Sequence, residues 1–178
     1  MTLEHITDLN VAITGHRPTK LPGGYDVWSQ GREGLRDRLL HELDRIVEDR
    51  VPDQITLITG MALGVDQDFA MVGQTYDMPV HAYIPGSAEQ QCSLWPNRSK
   101  DLYRQILEEC AACSFIPANG DHYSRVLQRR NEAMVQDCDL LIGVWDGSSG
   151  GTANCLNYAR RCGVEVRLMS PNGDGTRL

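Results

Sequence analysis

The stretch DGSSGGTAN at residues 146–154 joins an apolar segment, LLIGVW, to a segment of helical pattern. Hydroxyls and flexible glycines at the start of a helix suit an anion, because the first helical amides have no partner within the helix and the helix dipole favours negative charge. The candidate ligand-binding residues of this turn are Asp146, Gly147, Ser148, Ser149, Gly150, Gly151 and Thr152. Neither the Walker A pattern nor GxGxxG is present. Two interpretations stay open: a phosphate cradle, or a glycine-rich turn in which serine caps the helix.

Two earlier turns, TGHRPTK at 14–20 and TGMALGVDQD at 59–68, also follow apolar segments. Arg17 can hold a phosphate through two parallel N–H bonds, or it can form a structural ion pair. His16 can polarise or protonate a ligand, or it can be a structural histidine. Asp66 can accept hydrogen bonds from ribose hydroxyls, or it can cap the helix that it begins. The candidates in these turns are Gly15, His16, Arg17, Gly60, Gly64 and Asp66, with the glycines permitting close backbone approach.

A further set of candidates comes from a helical segment and from two aromatic residues. Arg129, Arg130 and Asn131 stand one to two helical turns before the apolar segment 138–145. If the loops after the first and fourth strands meet, one of these arginines reaches the site; otherwise both are solvated. Tyr25 or Trp95 can stack on a base.

The elements that must position these groups alternate regularly between strand and helix. The predicted strands are 10–14, 54–59, 79–84, 113–117, 138–145 and 164–169, separated by segments of helical period, with a surface loop at 85–97. This alternation predicts an α/β class: a Rossmann-like, doubly wound, mainly parallel sheet of about six strands with helices on both faces, in the order 3-2-1-4-5-6. Ligands bind such sheets beyond the carboxyl ends of the strands, where the strand order reverses. We expect residues 1–178 to form one domain of this kind.

Composition narrows the classes of partner. The net charge of −7 over 178 residues makes nucleic acid an unlikely partner, because such binding needs clustered Lys and Arg. No apolar run is long enough to span a bilayer and the start of the chain does not resemble a secretory signal, so we expect a cytoplasmic protein without a membrane partner. Cys110 and Cys113 have CxxC spacing, but no second pair completes a zinc site, and we expect neither a metal nor a cofactor.

Taken together, three motifs resemble the SLOG superfamily, a Rossmann-like group that includes YpsA-like proteins, LOG phosphoribohydrolases and the DNA-processing protein DprA. They are TGHRP with GGYD, GMALGVDQ, and RNEAMVQDCDLLIGVWDGSSGGTANCLNYA, and the match to the YpsA-like branch covers nearly the whole chain. The resemblance implies a nucleotide-derived or ADP-ribose-like ligand across the strand ends, and a homo-oligomer. It does not by itself establish an activity.

The LOG enzymes imply a specific alternative, cleavage of the N-glycosidic bond of a nucleoside monophosphate by an arginine and by the glutamate of Gly-Thr-x-x-Glu. Arg130 or Arg129 matches the arginine, but Cys155 stands at the glutamate position. A neutral thiol cannot stabilise an oxocarbenium-like state. Catalysis would then fall to Arg130 and Asp66, with Asp146 or Glu132 as other possible carboxylates. The leading hypothesis is ligand binding or sensing, followed by this hydrolase and then by a DprA-like single-strand DNA binder.

Overall fold

Six strands alternate with helices in the computed structural model, which describes residues 8–47 and 51–173. The strands are β1 (Leu9–Gly15), β2 (Ile55–Thr59), β3 (Val80–Pro85), β4 (Ala112–Ile116), β5 (Leu140–Val144) and β6 (Glu165–Met169). The helices are α1 (Gln30–Val47), α2 (Val65–Thr75), α3 (Ala88–Cys92), α4 (Asn97–Glu108), α5 (Tyr123–Gln136) and α6 (Gly151–Cys162). Short 3-10 turns add Pro18–Lys20 and Pro52–Gln54. Each predicted strand is present.

The sheet is parallel throughout, in the order β4-β3-β2-β1-β5-β6. The predicted doubly wound, Rossmann-like α/β class is therefore confirmed, whereas the predicted order 3-2-1-4-5-6 is wrong. β4 extends the first half of the sheet beside β3, and β5 rather than β4 lies against β1. Alternation of strand and helix fixes parallel pairing but not which strands become neighbours. The order therefore reverses between β1 and β5.

Helices cover both faces because residues of each inner strand alternate between two apolar clusters. Val11 and Ile13 of β1 belong to the cluster that packs against α1, α2 and α4. Ala12, between them, belongs to the cluster formed with α5 and α6. On α1 the buried side recurs at helical spacing through Leu35 and Leu39. The inner strands are thereby fixed, and with them the loops at their carboxyl ends.

The predicted loop at 85–97 is wrong in part, because α3 forms within it and α4 begins at Asn97. The Ser87 side chain caps α3 by accepting the Gln90 amide N–H at 3.2 Å. Gln91 and Cys92 are buried. A helix of five residues is too short to show an apolar period. One of its two buried residues is a glutamine, so the buried face does not stand out in the sequence as apolar.

Candidate functional site

The turns after β1 and β5 and the start of α2 converge on a cavity of about 320 Å³ at the carboxyl end of the sheet. Arg17, Asp66 and Ser149, from these three segments, line it together. The predicted residues in its wall are Gly15, His16, Arg17, Asp66, Arg130, Asn131, Ser148, Ser149, Gly150, Gly151 and Thr152. β1 pairs with both β2 and β5, so its loop lies between the other two. The cavity thus occupies the reversal of strand order.

The first turn of α6 forms one wall of the cavity. Its N-cap is Gly150, with φ 145°, and no side chain of the described residues caps the helix start, so the interpretation in which serine caps this helix is wrong. A Cβ added at Gly150 or Gly151 would meet no heavy atom within 4 Å. Ser148 instead donates its backbone N–H to Asp146 Oδ1 at 2.9 Å. The start of α6 therefore has open space beside it, as an anion site requires.

The β1 and β5 loops are joined by polar contacts that the sequence did not indicate. Lys20, at the end of the 3-10 turn, donates to the Ser148 hydroxyl, and its Nζ lies 3.6 Å from Asp146 Oδ2. His16 Nε2 lies 2.7 Å from Asp146 Oδ1. Lys20 lines the cavity although sequence analysis missed it; its place in TGHRPTK, after Pro18, was the available signal. Asp146 holds these loops together but does not line the cavity, so the structure does not support the ligand contact predicted for it.

Arg130 of α5 is 5% exposed and also lines the cavity. Its Nη1 donates to Asp66 Oδ2 at 3.3 Å, and its buried Nε has no hydrogen-bond partner within residues 8–47 and 51–173. Gly60 makes room for this side chain, because a Cβ there would lie 1.2 Å from Arg130 Nη1. The space beside the Gly60 backbone is therefore filled by Arg130 of the protein itself. The ligand contact predicted at Gly60 is wrong.

Asp66 is the one carboxylate among the described residues that line the cavity. Its Oδ2 accepts the Ala62 amide N–H at 3.2 Å, so the carboxylate holds the loop that precedes α2 as well as pairing with Arg130. The N-cap of α2 is Gly64, so the interpretation in which Asp66 caps this helix is wrong. Burial raises the pKa of Asp66 above its ordinary value, against the opposing effect of Arg130 and Arg17. Asp66 thus combines a structural role with a position on the cavity wall.

Several predicted ligand residues lie outside the cavity. Arg129 of α5 donates to the carbonyls of Pro117 and Ala118 and pairs with Asp121, at 3.0 Å, so its side chain holds the β4–α5 loop. Tyr25 is 57% exposed and lines a different surface cavity. Neither supports the ligand contact predicted for it.

The glycines of these turns bring protein segments together. Gly64 is the N-cap of α2 with φ 104°, and a Cβ there would lie 2.4 Å from the His16 carbonyl oxygen. At Gly15 the added atom would meet the Val65 side chain at 2.6 Å. Gly147, with φ 87°, shapes the β5–α6 loop without lining the cavity. Other atoms do approach the backbone closely at Gly15 and Gly64, as predicted, but they belong to the protein and not to a ligand.

A buried ion-pair network behind the site was also missed. Arg32, 1% exposed, donates from Nε to Asp68 Oδ2 at 2.7 Å and from Nη1 to the Gly24 carbonyl at 2.7 Å. Arg36 donates to the other Asp68 oxygen at 2.9 Å. Arg32 and Arg36 are four apart on α1, which was the available signal. The network fixes the loop after β1 against α2.

Cys155 is buried in α6, and burial raises the pKa of its thiol to about 11. The side chain belongs to the apolar cluster beneath α5 and α6. It is therefore a neutral thiol at pH 7 and supplies no carboxylate to the position that the LOG resemblance gives to glutamate. Glu132, the other proposed substitute, bonds to Gln128 at 2.8 Å and does not line the cavity.

Trp95 lies next to the first cavity rather than in it. It lines a second cavity of about 390 Å³ that shares Arg17 and Leu127 with the first. Within the described ranges, no group of three or more His, Cys, Asp or Glu side chains could hold a metal ion. No helix in the same residues is long and apolar enough to cross a membrane. The cytoplasmic location stays a prediction.

Comparison with known proteins gives sequence and fold relatives. No protein-family model matches the chain. It is 27% identical over 140 residues to the uncharacterized SPbeta prophage-derived protein YoqJ of Bacillus subtilis strain 168, covering 71% of this chain and 81% of that protein. Among solved structures, DprA of Streptococcus pneumoniae matches with a TM-score of 0.63 and 16% identity, over 94% of this chain and 54% of DprA.

Two further structures share the fold. DprA of Helicobacter pylori matches with a TM-score of 0.58 and 15% identity, over 91% of this chain and 65% of DprA. TM1055 matches with a TM-score of 0.55 and 17% identity, over 89% of this chain and 72% of TM1055. The chain thus spans about half to two thirds of the two DprA proteins. The predicted SLOG resemblance is supported at the level of fold. Membership of the YpsA-like branch stays a prediction.

The prediction that nucleic acid is an unlikely partner is not supported. The Helicobacter pylori structure is described as showing a single-stranded DNA binding mode of DprA. Net charge averages over the whole surface, whereas Arg17, Lys20 and Arg130 all line one cavity of this acidic chain. The overall charge of −7 therefore does not decide what this cavity binds.

Proposed function

We propose that this protein binds a nucleotide-like small molecule, whose phosphate occupies the cavity at the start of α6. The observation that carries the proposal is the convergence of Arg17, Lys20 and Arg130 on one cavity at the start of α6, in a chain of net charge −7. Cations, helix amides and hydroxyls are the groups that hold phosphate in proteins. Sensing, in which binding alone is the function, needs no further group.

Each group has a distinct role in this proposal. Arg17 and Lys20, both exposed, approach the phosphate from the β1 loop, while the amide of Gly151 meets it from α6. Arg130 offers the buried Nε that has no partner among the described residues. Asp66 accepts hydrogen bonds from ribose hydroxyls on the β2 side. The helix dipole alone stabilises an exposed charge by about 0.3–1 kcal/mol, so the three cations supply most of the affinity.

Titration calorimetry with AMP, ADP-ribose and NAD tests the proposal. Charge-assisted hydrogen bonds contribute about 1.5–3 kcal/mol, so Arg17→Ala should weaken binding roughly tenfold or more. Arg45→Ala is a matched control, because Arg45 lies on the far part of α1 in an exposed pair with Glu42. Absence of saturable binding at millimolar concentrations of all three ligands would reject the proposal.

A second candidate, hydrolysis of the N-glycosidic bond of a nucleoside monophosphate, is favoured by one observation: Asp66 and Arg130 face the cavity as a buried pair. A carboxylate beside the sugar can stabilise positive charge that develops at the anomeric carbon. Release of free adenine from AMP measures this activity. Turnover that Asp66→Asn and Arg130→Ala left unchanged would remove both residues from the mechanism, and absence of release with intact AMP binding would leave binding as the function.

We also propose that residues 1–178 form one domain and that the protein is a homo-oligomer, as the SLOG resemblance implies. One cooperative unfolding transition in urea is the expected result for a single domain. Sedimentation equilibrium gives the mass of the assembly directly. A species of 19.8 kDa at micromolar concentration would contradict the oligomer.

A further inference from the structure

A second cavity, of about 390 Å³, adjoins the first one at the carboxyl end of the sheet. Arg17 and Leu127 line both cavities, so the two cavities adjoin at these side chains. The second cavity has aromatic walls, Trp95 and Tyr123, and Leu94 at its edge is 95% exposed. The first cavity, by contrast, is lined mainly by charged, hydroxyl and glycine residues. The pair of cavities therefore suits a ligand with one anionic and one aromatic end.

The Trp95 wall is held in a fixed position relative to the sheet. Its ring packs edge-on against Tyr103, with 5.2 Å between ring centroids and an interplanar angle of 81°. The Tyr103 hydroxyl donates to Gln91 Oε1 at 2.8 Å, and Gln91 Nε2 donates to the Gly60 carbonyl at 2.8 Å. Trp95 is thereby connected, through α3, to the carboxyl end of β2. A wall fixed in this way loses little conformational entropy when a planar ring stacks on it.

Polar atoms are also available beside the two aromatic faces. Within residues 8–47 and 51–173, neither Trp95 Nε1 nor the Tyr123 hydroxyl has a hydrogen-bond partner. Tyr123 is 37% exposed at the start of α5, seven residues before Arg130. An aromatic face with an unpaired donor at its edge suits a heteroaromatic ring that carries acceptors, as a nucleobase does.

We propose that the second cavity binds the nucleobase of the ligand, between Trp95 and Tyr123, while the phosphate lies in the first cavity. This inference rests on the proposed function and deepens it, since it specifies a nucleoside phosphate rather than a phosphosugar. Trp95 then takes the stacking role, and Tyr25, which lines another cavity, takes none. The same chemistry occurs in a free nucleotide and in a nucleotide of a single strand.

The test compares AMP with ribose 5-phosphate, which has the same phosphate and sugar but no base. Stacking on an aromatic side chain should make AMP bind roughly 5- to 100-fold more tightly. Trp95→Ala should bring AMP to the affinity of ribose 5-phosphate and leave ribose 5-phosphate itself unchanged. Trp95→Phe should retain most of the AMP affinity, and Tyr25→Ala, the matched aromatic control, should retain all of it. Circular dichroism spectra and urea midpoints identify any variant that fails to fold.

The outcomes separate this inference from the function on which it rests. Equal affinity for AMP and ribose 5-phosphate, or an unchanged AMP affinity in Trp95→Ala, would overturn the base site and leave the phosphate site standing. AMP affinity that depends on Trp95 but not on Arg17 would support the base site and contradict the phosphate site. No binding of either compound would overturn both.

A short single-stranded oligodeoxyadenylate distinguishes the two sources of the nucleotide. Contact with several phosphates releases several counterions, so strand binding should weaken steeply with salt, whereas AMP, with one phosphate, should depend on salt weakly. Tight, salt-sensitive binding of the strand that is lost in Trp95→Ala would support the same base site occupied by single-stranded DNA. If Trp95→Ala left the affinity for the strand unchanged, the strand would not bind through the base site at Trp95.

Discussion

Arg130 Nη1 lies 3.3 Å from Asp66 Oδ2, and the pair joins α5 to α2 across the carboxyl end of β2. α5 is the helix that crosses from the outer strand β4 to β5, on the other side of β1. An arginine near the middle of this crossover can reach the reversal of strand order, and Gly60 leaves the space for its guanidinium. The Arg130–Asp66 pair therefore depends on glycine at position 60, because a side chain there would occupy the space of the guanidinium.

Gly60→Ala should displace the Arg130 guanidinium. The new Cβ would lie 1.2 Å from Arg130 Nη1, so the buried pair with Asp66 must separate. We expect a loss of about 1–3 kcal/mol in the free energy of unfolding, and AMP binding about as weak as in Arg130→Ala. Urea titration and calorimetry measure the two effects.

Gly34→Ala is the control for that substitution. Gly34 lies inside α1, where an added Cβ would meet Arg38 Nη1 at 3.7 Å, an ordinary contact. Replacing a helical glycine by alanine should stabilise the protein by about 0.5–1 kcal/mol without altering AMP binding. If Gly60→Ala behaved like Gly34→Ala, the Arg130 position would not matter for binding.

Gly151→Ala separates binding from folding. Gly151 is the first residue of α6, and a Cβ there would meet no heavy atom within 4 Å. We expect the free energy of unfolding to be unchanged or slightly higher, because alanine is the better helix former. A methyl group at the cradle should nonetheless reduce AMP affinity about tenfold, through loss of close contact between phosphate and amide.

The neighbouring substitution provides the contrast. Gly150→Ala introduces a side chain at φ 145°, which L residues rarely adopt, and should cost about 1–3 kcal/mol of stability. Full AMP affinity in Gly151→Ala would show that the ligand does not approach the first turn of α6.

The buried Arg32–Asp68 pair should dominate the stability of the loop after β1. Arg32→Ala leaves the fully buried Asp68 carboxylate with Arg36 alone and frees the Gly24 carbonyl. Removing one partner of a buried pair costs about 3–5 kcal/mol of unfolding free energy. Because Arg36 still donates to Asp68, we expect a loss near the lower end of this range. Urea unfolding of this variant and of Arg45→Ala, which breaks an exposed pair, measures the difference. If Arg32→Ala lowered the free energy of unfolding by less than about 1 kcal/mol, as expected for Arg45→Ala, the structural role of the Arg32–Asp68 pair would be refuted.

The place of the site was accessible from sequence because it depends on strand direction rather than on strand order. In a parallel sheet every carboxyl end lies at the same edge, so Arg17, Asp66 and Ser149 were predicted to converge even though the position of β4 was wrong. The identity of the groups that approach each glycine was not accessible. At Gly60 it is a side chain 70 residues later, and at Gly64 it is the His16 carbonyl.

What sequence analysis missed depends on contacts between distant segments. The Arg32–Asp68 pair spans 36 residues, and neither residue differs in type from a solvated surface charge. Lys20 reaches Ser148 only because a 3-10 turn redirects the chain after Pro18. Such contacts are set by tertiary packing, which local periodicity does not encode.

Asp146 should make the protein more sensitive to acid. Hydrogen bonds from the Ser148 hydroxyl and amide, with a smaller contribution from His16, hold the pKa of the Asp146 carboxyl well below its usual range. The folded state therefore binds a proton less readily than the unfolded state, whose aspartates titrate near pH ~4. The stability gained is fully present above about pH 5 and is lost as the pH falls toward the lower folded value. Because the carboxylate is 39% exposed, solvent screening keeps the effect modest.

Urea unfolding at pH 7 and at pH 3 measures this contribution. Asp146→Asn retains an oxygen that can accept from Ser148 but cannot titrate, so the variant should lose less stability than the natural chain between these two pH values. Ser148→Ala, which removes the hydroxyl donor, should show an intermediate loss, since the backbone N–H of residue 148 still donates to Asp146. The comparison uses the difference within each variant, so any change at pH 7 cancels. Identical losses in all three proteins would mean that Asp146 titrates alike in the folded and unfolded states.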